Sequence, residues 1–236
     1  MSADDHEETR AMWNAVADDW LLQVGDEGDS NRRLNSDPVL WAFAGDVAGL
    51  AVLDAGCGTG YLSKKLRDRG ALVTGIDFSE RMMAIASSRY PEIDFRIDSC
   101  SELATLADQQ FDMLVSNYVL MDTPDLQATM AAFHRVLKTD AVAVLVFSHP
   151  CFPQDWAAVA EDGAVCYRWP HSYFEERKYT APPMGTFQVG LHLVSATAFR
   201  LLESVHEGGI HCCGLGGAQN CGGPLPSRNE RSKSAE

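Results

Sequence analysis

The first pattern along the chain is amphipathic. Between residues 5 and 24, apolar side chains recur at spacings of three and four, which is the repeat of a helix with one buried face. These positions are Met12, Trp13, Val16, Trp20 and Leu21. A polar linker follows, and Ser36 or Asp37 is then placed to cap a second helix, with Pro38 in its first turn and Gly49 at its end. We therefore predict two helices before the first strand.

After Gly49 the pattern changes to short apolar runs of strand length. These runs cover residues 51–55, 71–77, 93–98, 111–117 and 141–148, and helical segments lie between them at 60–69, 79–89, 101–107 and 123–138. Alternating strands and helices are typical of a parallel sheet covered on both faces. The sequence therefore predicts an α/β fold with a doubly wound, mostly parallel sheet.

Composition and charge narrow the class of protein. The 236 residues are 46% hydrophobic and 22% charged, which is typical of a globular chain of one domain. The formal net charge of -14 repels phosphate backbones and anionic lipids, so neither a nucleic acid nor a membrane is an expected partner. The acidic start MSADDHEETR lacks the features of a secretory signal, so we expect a cytoplasmic protein.

The seven cysteines show no paired zinc-type spacing. Adjacent residues at His211, Cys212 and Cys213 would chelate a metal with poor geometry. We therefore predict reduced thiols and no metal site.

The strongest chemical signal is the segment from Val52 to Gly60, VLDAGCGTG. A strand breaks there into three alternating glycines and opens a helix, so the backbone can approach a ligand closely. The dinucleotide fingerprint requires G-x-G-x-x-G, whereas Tyr61 stands where its third glycine would be. The motif has instead the D-x-G-x-G-x-G form of the class I S-adenosylmethionine-dependent methyltransferases, and it resembles their methyltransferase-11-like group. The resemblance covers about residues 10–150 and implies a Rossmann-like core.

The resemblance implies a set of cofactor contacts at the carboxyl ends of the strands. Asp77 would accept hydrogen bonds from both ribose hydroxyls, Phe78 and Met82 would pack against the adenosine, and Asp98 with Ser99 would bind the adenine. Asp54 would lie near the methionine ammonium, and Asn117 beneath the methionine. The loop itself would contribute Gly56, Cys57, Gly58 and Gly60. Alternatively, Asp77 and Asp98 only cap the helices that follow them.

Residues on the substrate side are predicted from position. His149 directly follows the fifth strand, so it could accept a proton from the methyl acceptor or simply order the cap. Trp13 and Trp20 fit a lid near the sulfonium by cation–π attraction, or they pack the first helix onto the core. Further candidates for the substrate wall are Tyr61, Tyr118, Met121 and Tyr173.

Four regions follow from these patterns. Residues 1–35 form an N-terminal lid helix and linker, and residues 36–150 form the cofactor-binding core. Residues 151–203 form an irregular, aromatic-rich substrate cap and a C-terminal helix. Residues 204–236 are rich in glycine and cysteine without alternation, which predicts a disordered tail. The family's sheet normally ends with two more strands, and a one-base frame shift over about 196–227 can encode similar strings, so a frameshifted C-terminus is a hypothesis.

The sequence thus predicts an enzyme that transfers methyl groups from S-adenosylmethionine to an oxygen or nitrogen of a small molecule. Two alternatives remain, a non-catalytic S-adenosylmethionine-binding protein and a nicotinamide-dependent oxidoreductase. The oligomeric state is not predicted.

Overall fold

The computed structural model of the chain describes residues 3–147 and, beyond them, residues 157–159, 161–163, 165–167, 177–181, 186 and 191–195. Helix α1 spans Ala3–Val24, and a π-helical turn at Arg32–Ser36 runs directly into α2 at Asp37–Ala44. The later helices are α3 at Tyr61–Asp68, α4 at Glu80–Arg89 and α5 at Leu126–Val136, with a 3-10 helix at Leu120–Asp122 before α5.

Five parallel strands form the central sheet. They are β1 at Ala51–Ala55, β2 at Leu72–Asp77, β3 at Asp94–Ile97, β4 at Phe111–Asn117 and β5 at Leu137–Val146, in the order β3-β2-β1-β4-β5. The sheet reverses direction of growth between β1 and β4, which creates a crevice at the carboxyl ends of these strands. The predicted α/β fold with a parallel sheet is confirmed.

The core lies on both faces of this sheet. Neighbouring residues of β1 point to opposite faces, since fully buried Val52 packs with Leu40 and Leu66, whereas Leu53 packs with Phe133. Helices α2 and α3 supply the first cluster and α5 supplies the second. A third cluster joins α1 to α4 through Ala17, Met82 and Met83 among others. The N-terminal helix is therefore part of the packed fold.

Several predicted elements differ from the structure, and three of these differences have a local cause. Residues 101–107 form turns instead of a helix, because the Asp98 carboxylate takes the backbone N–H groups of Ala104 and Thr105 and Leu103 has a left-handed φ of +48°. The second helix ends at Ala44, and Gly45 with φ +64° is its C-cap. Ser36 has helical φ/ψ and makes no side-chain cap, because the π-helical turn continues into α2.

Beyond β5 the structure describes two antiparallel hairpins. The first pairs β6 at Ala157–Val159 with β7 at Val165–Tyr167, and the second pairs β8 at Arg177–Ala181 with β9 at Leu191–Ser195. Within the described residues no strand pairs with the outer edge of β5. The predicted tail at 204–236 and the segment of the frameshift hypothesis from 196 onward lie outside the described residues.

None of the helices in the described part of the chain has the length and hydropathy that a membrane span requires.

Candidate functional site

A cavity opens at the carboxyl ends of β1, β2 and β4, beneath α1. Most of the residues predicted for a cofactor or substrate site line this cavity. They are Trp13, Trp20, Asp54, Gly56, Cys57, Gly58, Tyr61, Asp77, Phe78, Met82, Ser99, Asn117 and Tyr118. Gly60, Asp98 and Met121 are not among its lining residues. His149 and Tyr173 lie outside the described residues, so their roles stay predictions.

The glycine loop forms the floor of this cavity. Gly58 has φ +53°, and a Cβ at this position would point to the cavity side, 3.4 Å from Nε1 of Trp20. Gly56 instead packs against Val119, and Gly60 packs against Phe95. A Cβ would be too close to its neighbours at Gly56 and tightly packed at Gly60, whereas Gly58 is the position where the missing side chain leaves room at the cavity.

Asp77 holds this loop in place. Its Oδ2 accepts a hydrogen bond from the backbone N–H of Gly58 at 3.0 Å, and its Oδ1 accepts one from Ser79 at 2.9 Å. The residue is 9% exposed, and burial raises the pKa of its carboxyl to about 6, although hydrogen bonds from the backbone of Ser79, Gly58 and Phe78 oppose this shift. Asp77 lines the cavity, and a carboxylate oxygen can accept more than one hydrogen bond, so this group can also bind a ligand hydroxyl.

Asp54 sits deeper, at the end of β1. It is 2% exposed and accepts a hydrogen bond of 2.6 Å from the Ser63 hydroxyl. Burial raises the pKa of Asp54 to about 7, with a smaller contribution from the nearby Asp77, while the hydrogen bond from Ser63 opposes the shift. The sequence-based expectation that this buried acid has a hydrogen-bond partner is met by Ser63.

Asp98 has the contacts of a residue that orders its own loop. It accepts four hydrogen bonds, from the backbone N–H groups of Ser99, Ala104 and Thr105 and from the Thr105 hydroxyl, at 2.6 to 3.1 Å. These bonds fill the acceptor positions of a carboxylate. The contacts favour the alternative of a structural role, while adenine recognition by Asp98 stays a prediction.

Helix α1 covers the cavity with one face. His6, Trp13 and Trp20 are spaced by seven residues, so they lie on the same side of the helix, and all three line the cavity. Nε2 of His6 lies 2.9 Å from the Ser99 hydroxyl, and its ring meets the edge of Phe78 at 5.3 Å. Sequence reasoning identified the two tryptophans and missed His6, although the seven-residue spacing could have shown it.

Arg32 is a second residue that sequence reasoning missed. Its guanidinium lies 4.6 Å from the centre of the Trp20 ring, and Nη1 lies 3.3 Å from Oδ2 of Asp29. The residue is 7% exposed and lines the cavity. Trp20 therefore already faces a cation from this chain. Nothing in the linker sequence distinguishes Arg32 from the adjacent Arg33.

Two tyrosines predicted to contact a substrate differ in how the fold holds them. The Tyr61 hydroxyl donates to Oδ2 of Asp37 at 2.7 Å, and Lys65 also contacts it, so this phenol is engaged in the fold. Tyr118 has a left-handed φ of +60° at the end of β4 and lines the cavity. Such a backbone is costly for an aromatic residue and is frequent at functional sites.

Several buried polar atoms at the cavity have no partner within the described part of the chain. They are Oγ1 of Thr59, Oδ1 of Asn117 and Oδ1 of Asp122, and all three residues line the cavity. Burial raises the pKa of Asp122 to about 7. A buried polar group without a partner is costly, so these atoms point to a ligand that would satisfy them. Sequence reasoning identified Asn117 but missed Asp122, which no motif marked.

The described residues contain no group of three or more His, Cys, Asp or Glu side chains that could hold a metal ion. His211, Cys212 and Cys213 lie outside the part of the chain that the structure describes.

Three buried acids with raised pKa values give the protein an expected dependence of stability on pH. A carboxyl whose pKa is raised by folding stabilises the fold fully below its unfolded pKa of about 4, and this contribution is lost as the pH rises through the folded pKa. For Asp54, Asp77 and Asp122 this loss falls between about pH 4 and 7. We expect the Tm of the ligand-free protein to drop by a few degrees from pH 5 to pH 8 in scanning calorimetry.

Asp122→Asn should reduce that drop, because the amide does not titrate. A Tm that rises steadily over the same pH range would contradict the raised pKa values of these three groups.

Comparisons with known proteins agree with this geometry. Residues 53–145 match the family described as a methyltransferase domain. A ubiquinone biosynthesis O-methyltransferase of Pseudomonas paraeruginosa is 34% identical over 145 residues, which are 58% of this chain and 61% of that protein. A demethylmenaquinone methyltransferase of Chlorobaculum parvum is 36% identical over 105 residues, 44% of this chain and 42% of that protein. The chain thus spans about three fifths or less of these relatives.

A solved structure from Mesorhizobium loti is also similar. It is an S-adenosylmethionine dependent methyltransferase that shares 25% sequence identity with this chain, with a TM-score of 0.61, over 73% of this chain and 79% of that one.

Proposed function

Because residues 53–145 belong to the class I S-adenosylmethionine-dependent methyltransferase family, we propose that the protein transfers a methyl group from S-adenosylmethionine to a small molecule. The observation that carries this proposal is the pairing of Asp77 with the backbone of Gly58 at the open floor of the cavity. It joins the glycine loop of β1 to the acid of β2, and both elements face the same ligand space.

The residues at the cavity fit this cofactor. Asp77 has acceptor positions left for two ribose hydroxyls, and Phe78 and Met82 offer apolar surface for the adenosine. The buried Arg32 provides a positive charge for the carboxylate of the methionine moiety. Oδ1 of Asn117 is an acceptor without a partner, and it suits a donor such as the ammonium group of the methionine moiety.

The bound cofactor would supply an already activated methyl group, so the protein's task is positioning. Aligning two reactants is worth effective molarities of about 10⁵ to 10⁸ M. Helix α1, which places His6, Trp13 and Trp20 over the cavity, would exclude water from the reacting groups.

We propose oxygen as the atom that is methylated. The Pseudomonas relative is named an O-methyltransferase. The similarity spans 61% of that relative, and an acceptor nitrogen is the alternative.

The test is a calorimetric titration with S-adenosylmethionine, S-adenosylhomocysteine and NAD. We expect both sulfur compounds to bind in the micromolar range, about -8 kcal/mol, and NAD not to bind. A screen of hydroxylated aromatics, carboxylic acids and amines, read by formation of S-adenosylhomocysteine, then identifies the acceptor. Tight NAD binding would favour the oxidoreductase alternative, and binding without turnover of any acceptor would favour a non-catalytic binding protein.

A further inference from the structure

Asp122 stands apart among the acids of the cavity. It ends the 3-10 helix that follows β4, it is 9% exposed and it lines the cavity. Within the described residues, no group donates a hydrogen bond to its buried Oδ1. A carboxylate oxygen in this state loses its hydration without compensation, which is costly unless a ligand supplies the missing donor.

Four other ionisable groups around the cavity are already engaged in hydrogen bonds. Each has a hydrogen-bond partner from this chain: Asp54, Asp77, His6 and Arg32. The Cys57 and Cys100 thiols and the Tyr61 phenol stay protonated, since burial raises the pKa of each. Strand β9 also contacts the 3-10 helix and carries one titratable residue in its sequence, His192. Among the acids that line the described cavity, Asp122 is therefore the one with a buried oxygen that accepts no hydrogen bond.

The backbone holds Asp122 in a defined position. Its N–H donates to the carbonyl of Val119 at 2.9 Å, and the Thr123 hydroxyl donates to the same carbonyl at 3.1 Å. The left-handed turn at Tyr118 starts this segment. These bonds fix the backbone from which the Asp122 side chain extends, so less order has to be gained on binding a ligand.

We propose that Asp122 accepts the proton that the methyl acceptor loses, and that this acceptor is a flat apolar molecule carrying a hydroxyl group. This proposal rests on the proposed methyl transfer. The cavity that Asp122 lines also has apolar and aromatic side chains that the proposed adenosine contacts do not use, those of Trp13, Tyr118 and Val119, and they suit such a molecule. A hydroxyl supplies the donor that Oδ1 lacks.

The step balances in atoms and electrons. The acceptor oxygen bonds to the methyl carbon as the carbon–sulfur bond breaks, and that bond's electron pair stays on sulfur. The O–H bond of the acceptor breaks, and its proton goes to Oδ1 of Asp122. From there it passes to solvent after the product leaves.

The first test measures binding and needs no turnover. Catechol and its dimethyl ether, veratrole, have the same ring, but veratrole has no hydroxyl donor. In the S-adenosylhomocysteine complex at pH 8, we expect catechol to bind at least about tenfold more tightly than veratrole. Asp122→Leu should remove this preference.

Asp68→Asn is the matched control, because this exposed acid pairs with Lys64 on the surface of α3. It should keep the full preference for catechol. Equal binding of the two compounds by the unmodified protein, or a preference that survives Asp122→Leu, would overturn the proposal.

The second test uses a hydroxyl acceptor from the screen. Asp122→Asn should lower kcat by at least about 100-fold with little change in KM, and it should remove the rise of kcat with pH that ionisation of Asp122 causes. The affinity for S-adenosylhomocysteine should stay within about twofold, which also shows that the variant is folded. His149→Ala tests the proton acceptor expected from sequence.

The outcomes separate the two proposals. If the protein binds and uses S-adenosylmethionine but Asp122→Asn leaves kcat and its pH profile unchanged, the role of Asp122 is wrong and the methyl transfer stands. If S-adenosylmethionine does not bind at all, the proposed function itself fails.

Discussion

Gly58→Val is expected to abolish binding of S-adenosylmethionine, with a loss of affinity of more than about 100-fold. The physical reason is twofold. The backbone at Gly58 has φ +53°, which a β-branched residue adopts only with strain, and the new side chain would enter the cavity beside Trp20. The measurement is calorimetric titration, with circular dichroism to show that the fold is kept.

Gly45→Val is the matched control for this variant. Gly45 has a similar φ of +64°, but a Cβ there meets no atom within 4 Å, and the residue does not line the cavity. Gly45→Val should therefore lower Tm through backbone strain while leaving the affinity for the cofactor unchanged. Normal binding by folded Gly58→Val would show that the cofactor does not use this loop.

Asp77→Ala is expected to weaken cofactor binding by about 2 kcal/mol, or roughly 30-fold. The ribose would lose a charged acceptor. The backbone N–H of Gly58 would also lose its hydrogen bond of 3.0 Å to Oδ2 of Asp77, which holds the glycine loop in place. Asp77→Asn keeps one acceptor oxygen without the charge, so we expect an intermediate loss. Titrations of the two variants at pH 8 measure the difference.

Asp94→Ala serves as the control for Asp77. Asp94 lies at the start of β3, away from the cavity, and forms a surface ion pair with Arg96. Removal of an exposed pair of this kind changes stability by at most about 1 kcal/mol. The ribose assignment would be wrong if Asp77→Ala bound the cofactor as well as Asp94→Ala does.

The architecture could be predicted from the sequence because it depends on local periodicity. Strands β1 and β4 have the predicted bounds, and the others differ by one to four residues at an end. The helix predicted at 101–107 is absent because of one side chain several residues earlier. The side chain of Asp98 competes for backbone N–H groups six and seven residues later, and no periodic pattern records such a bond.

The meeting of the glycine loop with the acid of β2 could be predicted from the sequence for a related reason. A glycine loop after the first strand and an acid after the second must meet at one edge of a parallel sheet, because adjacent strands end side by side. Thus Gly58 and Asp77, 19 residues apart, could be placed together before any coordinates were known, and they share a hydrogen bond.

What the sequence by itself determined is therefore the parallel sheet, the loop and the acid of β2. The tertiary structure alone decided that His6 meets Ser99, that Arg32 stacks on Trp20 and that Asp122 lines the cavity with a partnerless oxygen. The physical reason is that hydrogen bonding and desolvation depend on every group nearby in space. Residues far apart along the chain contribute those groups, and their arrangement follows only from the packing of α1 and the linker over the sheet.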